Sequence, residues 1–293
     1  MLKTYQVCRA LGFQPMAHEP PLSTSPLLRA VDLRKTYRRR ALWSGKIQEL
    51  RALDRVSLSI SRGSCTALIG ESGSGKSTLV ACLARLEDAD EGEIWFEGVN
   101  LSRLNGQALR STRAGFQLIF QDASAALNPG FTAIELVEEP LVIQKVGSKS
   151  EQRDRAREIL LKLGIPESRH QRRSHEFSGG QRKRIALARA LVLCPRLLIL
   201  DEVFSGLDLL VAAQILKQLM ELRAEQGLAL LFSSHDLSFL AQAVDSIAVM
   251  QRGQIVEQGC TRDLFSRPQH PYTRSLFLAH EQLQSAKAKG AGQ

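Results

Sequence analysis

The stretch GESGSGKST, from Gly70 to Thr78, decides what kind of fold this chain adopts. Four free positions separate its first glycine from Gly75, Lys76 and Ser77, a spacing typical of loops that wrap around phosphate groups. Glycines let successive N–H groups turn into one concavity, and the N-terminus of a following helix adds partial positive charge. The apolar residues 67–69 precede the loop, and residues 79–86 fit a helix. The stretch therefore predicts a strand, a phosphate-binding loop and a helix.

The chemistry of this loop predicts a nucleoside triphosphate bound with magnesium. Lys76 would reach the outer phosphates, and the Ser77 hydroxyl would be a ligand of Mg²⁺. An ordinary turn rich in glycine and serine is the alternative, but the flanking strand and helix disfavour it. We expect the whole loop to take part in binding: Gly70, Glu71, Ser72, Gly73, Ser74, Gly75, Lys76, Ser77 and Thr78.

A second acidic element follows further along the chain. The apolar run 197–200 predicts a buried strand, and it ends in Asp201 and Glu202. An acid at the carboxyl end of a parallel strand lies beside the phosphate loop, where Asp201 can hold Mg²⁺ and Glu202 can polarise the attacking water. Such a pair alone could be a solvated strand end. Together with the glycine loop it predicts a triphosphatase site.

The composition is typical of a globular protein, and the N-terminal sequence predicts that the protein stays in the compartment where it is made. The chain has 293 residues, 44% of them hydrophobic and 24% charged, which is ordinary for a folded domain. No apolar run approaches the ~18–20 residues of a membrane-spanning helix, and the N-terminus lacks the pattern of a secretory signal, so we expect a cytoplasmic protein. The five cysteines form no CxxC pair, which argues against a disulfide framework or a structural zinc site.

The net charge of +9 raises the question of a nucleic-acid partner. Much of the excess is local, because residues 151–190 carry eleven Lys or Arg against five Asp or Glu. A solvated helical face or a surface near anionic lipid explains this more simply than a nucleic-acid groove. We therefore expect no nucleic-acid partner.

The pattern of the chain predicts an α/β fold between two flexible ends. We expect an extension over residues 1–26, a domain over 27–280 and a tail over 281–293. Period-two alternation and turn signals predict strands over 28–37, 56–60 and 93–96, an antiparallel sheet beside the nucleotide strand. Residues 105–180 predict an inserted helical subdomain, including a helix over 151–163. A mostly parallel core sheet would take the strands 197–200 and 228–232 with the helix 211–225 between them, and residues 248–257 predict a hairpin.

Three further motifs resemble those of one family. FSGGQ at residues 177–181, Gln121 within LIFQD and His235 within LFSSHD stand in the order of the signature motif, glutamine loop and histidine switch of the ATP-binding cassette (ABC) ATPases. The resemblance covers about residues 28–280. It implies a P-loop NTPase cassette, with Tyr37 stacking on the adenine of ATP and residues 205–208 forming the loop after the acidic strand.

The resemblance also implies a mechanism. Gln121 would bind Mg²⁺ and sense the γ-phosphate, while His235 would hold that phosphate and help Glu202 to order the water. The signature loop would bind the ATP of another subunit, so that two cassettes close head to tail around two nucleotides. The residues assigned to that interface are Ser178, Gly179, Gly180, Gln181 and Asp208.

A closer resemblance lies in the segments FQDASAALNP (120–129), HEFSGGQ (175–181) and SRPQHPYTRSL (266–276), which look like the ATPase subunits of oligopeptide, dipeptide and nickel importers. It implies transmembrane permease subunits as partners, a second ABC ATPase subunit with a heterodimer favoured, and indirectly an extracellular or periplasmic binding protein. The chain would lie on the cytoplasmic face of the membrane. Val203 and Lys183 depart from the residues common in the family, proline and glutamine. The chain also lacks a cysteine-rich tail, so we expect no iron–sulfur cluster.

Two other functions fit a cassette of this kind. One is a soluble ATPase acting on nucleic acid or ribosomes, although such members usually carry two cassettes, coiled coils or zinc modules. The other is a scaffold subunit of a soluble complex such as one for phosphonate degradation. For the importer, the transported solute stays open among peptides, nickel or another metal chelate, and opine-like compounds.

Overall fold

The computed structural model describes residues 25–40, 47–123, 125–235 and 243–279. The predicted tail over 281–293 lies outside these residues, as does the predicted extension except for its last two positions. Ten strands run as follows: β1 Leu28–Arg40, β2 Ile47–Ile60, β3 Cys65–Ile69, β4 Glu91–Phe96, β5 Val99–Asn100, β6 Phe116–Ile119, β7 Leu197–Asp201, β8 Ala229–Ser234, β9 Ser246–Gln251 and β10 Gln254–Cys260.

Seven α-helices have bounds within the described residues, and residues 271–279 are also helical. They are α1 Lys76–Leu83, α2 Gly106–Arg113, α3 Ala133–Gln144, α4 Lys149–Lys162, α5 Gly179–Leu191, α6 Leu209–Gln226 and α7 Thr261–Ser266. Among the described residues no helix is long and apolar enough to cross a membrane. The elements fall into two compact units, one made of residues up to 104 and from 231 onward, the other of residues 105–230.

The first unit contains the predicted antiparallel sheet, with the strand order β2–β1–β4–β5. Strand β2 begins at Ile47 rather than at the predicted Val56. The register against β1 shifts at several points between Ala30 and Thr36. Each shift interrupts the in-and-out alternation of side chains, so the period-two pattern is regular only in the last part of β2.

The same unit carries the strand that leads into the glycine loop. All five residues of β3 are buried, as expected for a strand covered on both faces. It pairs in parallel with β9, with Ala67 opposite Ile247. The predicted hairpin is present as β9 and β10, and its turn residues Arg252 and Gly253 both have positive φ, 47° and 80°, the geometry of a two-residue hairpin turn.

The second unit combines helices with two parallel strands. Helix α4 matches its prediction: Ser148 and Glu151 form a capping box at its start, and Gly164, at a φ of 74°, follows its end. The sequence interpretation was incomplete for residues 105–180, because β6 lies within them and pairs with β7, Ile119 opposite Leu200. The α/β cassette with an antiparallel sheet and added helices is otherwise the fold predicted.

Candidate functional site

The glycine loop connects β3 to α1 in the first unit. Gly73 and Gly75 have φ values of 80° and 107°, a left-handed backbone that side chains with a Cβ rarely adopt. Gly75 is the N-cap of α1, no described side chain caps this helix, and its first turn holds no acidic residue. The N–H groups of that turn are therefore available to an anion.

Neighbouring backbone leaves no room for side chains at two of these glycines. A Cβ on Gly75 would lie 2.5 Å from the Ala52 carbonyl oxygen, and a Cβ on Gly70 would overlap the carbonyl of Met250. The Gly253 N–H in the β9–β10 turn donates to the Ser74 carbonyl at 2.8 Å. The loop is thus held in shape by β2 and by the hairpin, two supports that its own sequence does not show.

Lys76 lies folded against the loop. Only 5% of it is exposed, and its ammonium donates to the carbonyls of Gly70 and Glu71 at 2.8 and 2.9 Å. A buried ammonium held by carbonyl dipoles keeps its positive charge, which attracts an anion strongly. The lysine is therefore placed to turn toward a phosphate held by the loop.

Two more predicted residues lie in the first unit. Tyr37 in β1 is 37% exposed, and the Lys35 ammonium stands 5.6 Å from the centroid of its ring. His235 is exposed and comes directly after β8. The position just beyond a buried strand agrees with the prediction.

In the second unit, the parallel pair β6–β7 brings three predicted residues to one sheet edge. Because Ile119 is opposite Leu200, Gln121 and the pair Asp201 and Glu202 follow the carboxyl ends of adjacent strands. Asp201 is 6% exposed, and its Oδ1 has no hydrogen-bond partner among the described residues. A buried carboxylate oxygen is costly without a partner, and a divalent cation is a suitable one.

Glu202 is held in an unusual backbone conformation. Its φ is 49°, in the left-handed region, which costs a non-glycine residue of this kind about 1 kcal/mol or more. Its carbonyl accepts the Ser205 N–H at 3.0 Å, which closes a turn directly after β7. Strain of this kind concentrates at functional sites, and here it fixes the direction in which the carboxylate leaves the strand.

The signature segment forms the start of α5 in the second unit. Ser178 is its N-cap and forms a capping box with Gln181: each side chain accepts the other's backbone N–H, at 3.3 and 3.2 Å. A Cβ on Gly179 would meet nothing within 4 Å, whereas one on Gly180 would approach Val211. Asp208 caps α6 by accepting the Val211 N–H at 2.9 Å. Ser178 and Asp208 therefore have structural roles that the motifs alone did not reveal.

Lys183 supplies a contact that the sequence did not predict. From α5 its ammonium donates to the carbonyls of Val203 and Ser205, at 2.7 and 2.6 Å, on the loop that follows Glu202. Burial lowers the pKa of Lys183, and the Asp122 carboxylate opposes part of that shift. Lysine in place of the family's glutamine thus puts a cation at this position, and its hydrogen bonds join α5 to the loop that follows β7.

We expect Lys183→Met to destabilise the second unit, because it removes both hydrogen bonds while keeping most of the buried stem. The free energy of unfolding should fall by about 1–3 kcal/mol, measured by chemical denaturation. The matched control is Lys217→Met, since that lysine stands on α6 in an exposed pair with Glu221 at 3.9 Å, where the loss should stay below about 0.5 kcal/mol. Equal losses in the two variants would contradict the assignment.

Comparison with known proteins agrees with this geometry. The family model described as ABC transporter matches residues 53–205. The chain is 40% identical to the dipeptide transport ATP-binding protein DppF of Haemophilus influenzae, over 88% of this chain and 79% of that protein. This chain belongs to the ABC transporter family.

Other relatives agree with the ABC assignment. The identity is 41% to a putative peptide import ATP-binding protein of Brucella ovis, over 88% of this chain and 80% of that one. The dimeric structure of an ATP-binding cassette in a post-hydrolysis state, bound to ADP and Pi, superposes with a TM-score of 0.72 at 28% identity, covering 80% of this chain and 99% of that chain. The resemblance to importer ATPases, the α/β cassette fold and the ATPase activity predicted from the sequence are confirmed.

Proposed function

We propose that this ABC ATPase energises an importer of small peptides, using Gly70–Thr78 to hold the phosphates of ATP. The observation that carries the proposal is the loop itself, with its uncapped helix start and the buried Lys76 turned onto the loop's own carbonyls. The peptide class is supported by relatives named for dipeptide and peptide transport. Nickel or another metal chelate, and opine-like compounds, are the alternative solutes that the sequence resemblance leaves open.

The magnesium ligands are proposed to be Ser77, Gln121 and Asp201. Their fit to a hard cation rests on oxygen chemistry: an exposed hydroxyl in the first turn of α1, an exposed amide after β6, and the buried Asp201 oxygen without a described partner. Magnesium would neutralise phosphate charge. The protein's own contribution is to hold these three side chains at the ends of buried strands and at a helix start.

The catalytic groups are proposed to be Glu202, His235 and Gln121. The Glu202 carboxylate accepts a hydrogen bond from the attacking water and so makes the oxygen of that water more nucleophilic. His235 donates to the γ-phosphate and helps to orient that water, and Gln121 reports the presence of phosphate and metal. Tyr37 stacks on the adenine.

The chain is proposed to act as one of a head-to-tail pair, and the pair to be a heterodimer. The pairing is supported by the dimeric state of the cassette that superposes on it. The signature residues Ser178, Gly179, Gly180 and Gln181, with Asp208, serve the nucleotide on the mate's glycine loop. The choice of a different mate rests on the two-ATPase composition of the importers that the sequence resembles.

A Gly179→Arg variant should separate the chain's own site from the mate's site. Arginine there adds bulk and charge where backbone N–H groups approach the mate's phosphate, and nothing within 4 Å opposes its Cβ. The isolated chain should bind ATP as the wild type does, while ATPase activity of the assembled complex falls about 100-fold. Ser178→Ala is the control for capping, because it removes the helix cap without adding bulk. Loss of ATP binding by the folded, isolated Gly179→Arg chain would show that the loop acts in cis.

A groove in the second unit is the proposed contact with the permease. It measures about 350 Å³, and its lining includes Phe120, which precedes Gln121 in the chain, together with Pro140 and Ile143. Phe120 and Ile143 are 47% and 55% exposed, an apolar surface next to the element proposed to sense the phosphate. Apolar side chains exposed together mark an interaction site, and a permease segment there would receive the movement of Gln121. The chain would then lie on the cytoplasmic face of the membrane, with a binding protein on the other side.

Purification of a tagged chain from detergent-solubilised membranes tests this proposal. The wild type should retain integral membrane proteins and a second ATPase. Ile143→Asp should lose the membrane proteins, because a carboxylate in an apolar contact is desolvated without a partner, and ATP binding should be unchanged. Leu161→Asp is the matched control, since Leu161 is 51% exposed on α4 and is not among the groove residues. Equal retention by the Ile143→Asp and Leu161→Asp variants would refute the groove as the docking site.

A further inference from the structure

The segment HPYTR, residues 270–274, lies outside the motifs assigned to nucleotide binding and catalysis. It follows α7 in the first unit, and residues 271–279 are helical. We call residues 268–275 the C-terminal strap.

The strap is fixed to β10 at one point. The Glu257 carboxylate accepts the backbone N–H groups of Gln269 and His270 at 2.7 and 3.0 Å. Burial raises the pKa of Glu257, but its polar neighbours, including these two N–H groups, lower it more, so the pKa lies below its usual value and the carboxylate is ionised. Thr273 is completely buried. The start of the strap is therefore well anchored.

The anchored strap directs one side chain at the glycine loop. The Tyr272 N–H donates to Nδ1 of His270 at 3.2 Å, and the tyrosine is 9% exposed. Its hydroxyl oxygen accepts the backbone N–H of Glu71 at 3.0 Å. Burial raises the pKa of Tyr272, so the phenol stays neutral. This hydrogen bond joins the strap to the second residue of the loop.

The neighbouring atoms of the loop are held from elsewhere. The Lys76 ammonium donates to the carbonyls of Gly70 and Glu71. The Glu71 residue is thus held at its N–H by Tyr272 and at its carbonyl by Lys76. When Lys76 turns to a phosphate, both carbonyls lose this donor. The Glu71 carbonyl still accepts the Ser74 N–H at 3.2 Å, and the Tyr272 hydroxyl still accepts the Glu71 N–H. A loop kept in its binding shape pays less ordering entropy when the nucleotide enters.

We propose that Tyr272 is a positioning residue for the phosphate loop, and that the C-terminal strap keeps the loop in shape for the phosphates of the nucleotide. The inference rests on the proposed function of Gly70–Thr78, and it adds a determinant about 200 residues away in the chain. Tyr272 contacts the backbone of the loop. Its effect should therefore fall on the affinity for the nucleotide's phosphates, and neither on recognition of the adenine nor on the chemical step.

The test uses the full chain and the non-hydrolysable analogue AMP-PNP with Mg²⁺. Tyr272→Phe keeps the buried ring and removes only the acceptor, so the Kd for AMP-PNP should rise about threefold to tenfold. ADP should be affected by the same factor. Ser275→Ala is the matched control, because the Ser275 hydroxyl donates to the Tyr272 carbonyl at 2.9 Å within the strap and makes no hydrogen bond to the glycine loop among the described residues. The Kd of this variant should equal that of the wild type.

Hydrogen exchange at the Glu71 amide separates positioning from general packing. In the nucleotide-free chain this amide should exchange about tenfold faster in Tyr272→Phe than in the wild type or in Ser275→Ala. This readout reports on the folded chain, so a small loss of stability does not obscure it. Wild-type affinity, unchanged Glu71 exchange, or equal effects in both variants would overturn the proposal. If Lys76→Ala loses nucleotide binding while Tyr272→Phe does not, the strap fails and the proposed function stands.

Discussion

A Glu202→Gln variant of the assembled complex should bind ATP and Mg²⁺ normally but hydrolyse ATP at least about 100-fold more slowly. The amide has the same shape as the carboxylate, so the strained turn after β7, with its φ of 49°, is preserved. What is lost is the negative charge that polarises the attacking water, a contribution of general base catalysis worth about 10²–10⁴ in rate. Phosphate release under saturating ATP measures the effect.

The same variant should accumulate a closed pair. With hydrolysis blocked, ATP stays between the two cassettes and adds binding energy to the paired state. Size-exclusion chromatography with ATP should then show a larger species that disappears with ADP. Asp154→Asn, an exposed acidic residue on α4, is the control and should hydrolyse ATP at the wild-type rate. Near-normal turnover by Glu202→Gln would remove Glu202 from the catalytic role.

A Lys76→Ala variant should lose most of its nucleotide affinity. The lysine ammonium is the strongest donor that the glycine loop offers, and the remaining donors are mainly neutral N–H groups. Its loss should raise the Kd for ATP about 10- to 100-fold, as expected for hydrogen bonds to a charged group. Titration calorimetry on the isolated chain measures this.

The Lys76→Ala variant also removes two hydrogen bonds within the nucleotide-free loop, so the stability of the variant without nucleotide must be measured as well. Lys149→Ala is the control, because that lysine is exposed at the start of α4. Its affinity for ATP should equal that of the wild type. Wild-type binding by Lys76→Ala would count against the whole assignment of the loop.

The glycine loop, the acidic strand end and the hairpin could be predicted because each depends on residues that are neighbours in the sequence. Glycine spacing, an apolar run ending in two acids, and a turn of the Arg252-Gly253 kind are local signals. Strand β6 was missed because it has four residues in a stretch otherwise typical of helix. The early part of β2 was missed because the register shifts against β1 blur its alternation.

The contacts that shape the site could not be predicted from local pattern. Tyr272 and Glu71 are 201 positions apart, and Lys183 reaches carbonyls 20 and 22 positions away. When a side chain bonds to a backbone group, the partner can be almost any type of residue. The sequence therefore contains no complementary pair of residues that would predict the contact. The sequence shows that Lys183 replaces the glutamine common in the family. The two hydrogen bonds that this lysine makes depend on the position of the loop after Glu202, which the sequence does not show.

The central claim is that hydrolysis by this chain powers the import of a small solute. The most direct measurement is uptake of labelled dipeptides and of labelled nickel by cells of the native host, with the chromosomal copy either wild type or Glu202→Gln. Dipeptide uptake should fall to background in the Glu202→Gln cells, while the amount of the chain in the membrane fraction should be normal. Uptake equal to wild type for every dipeptide and for nickel would contradict it.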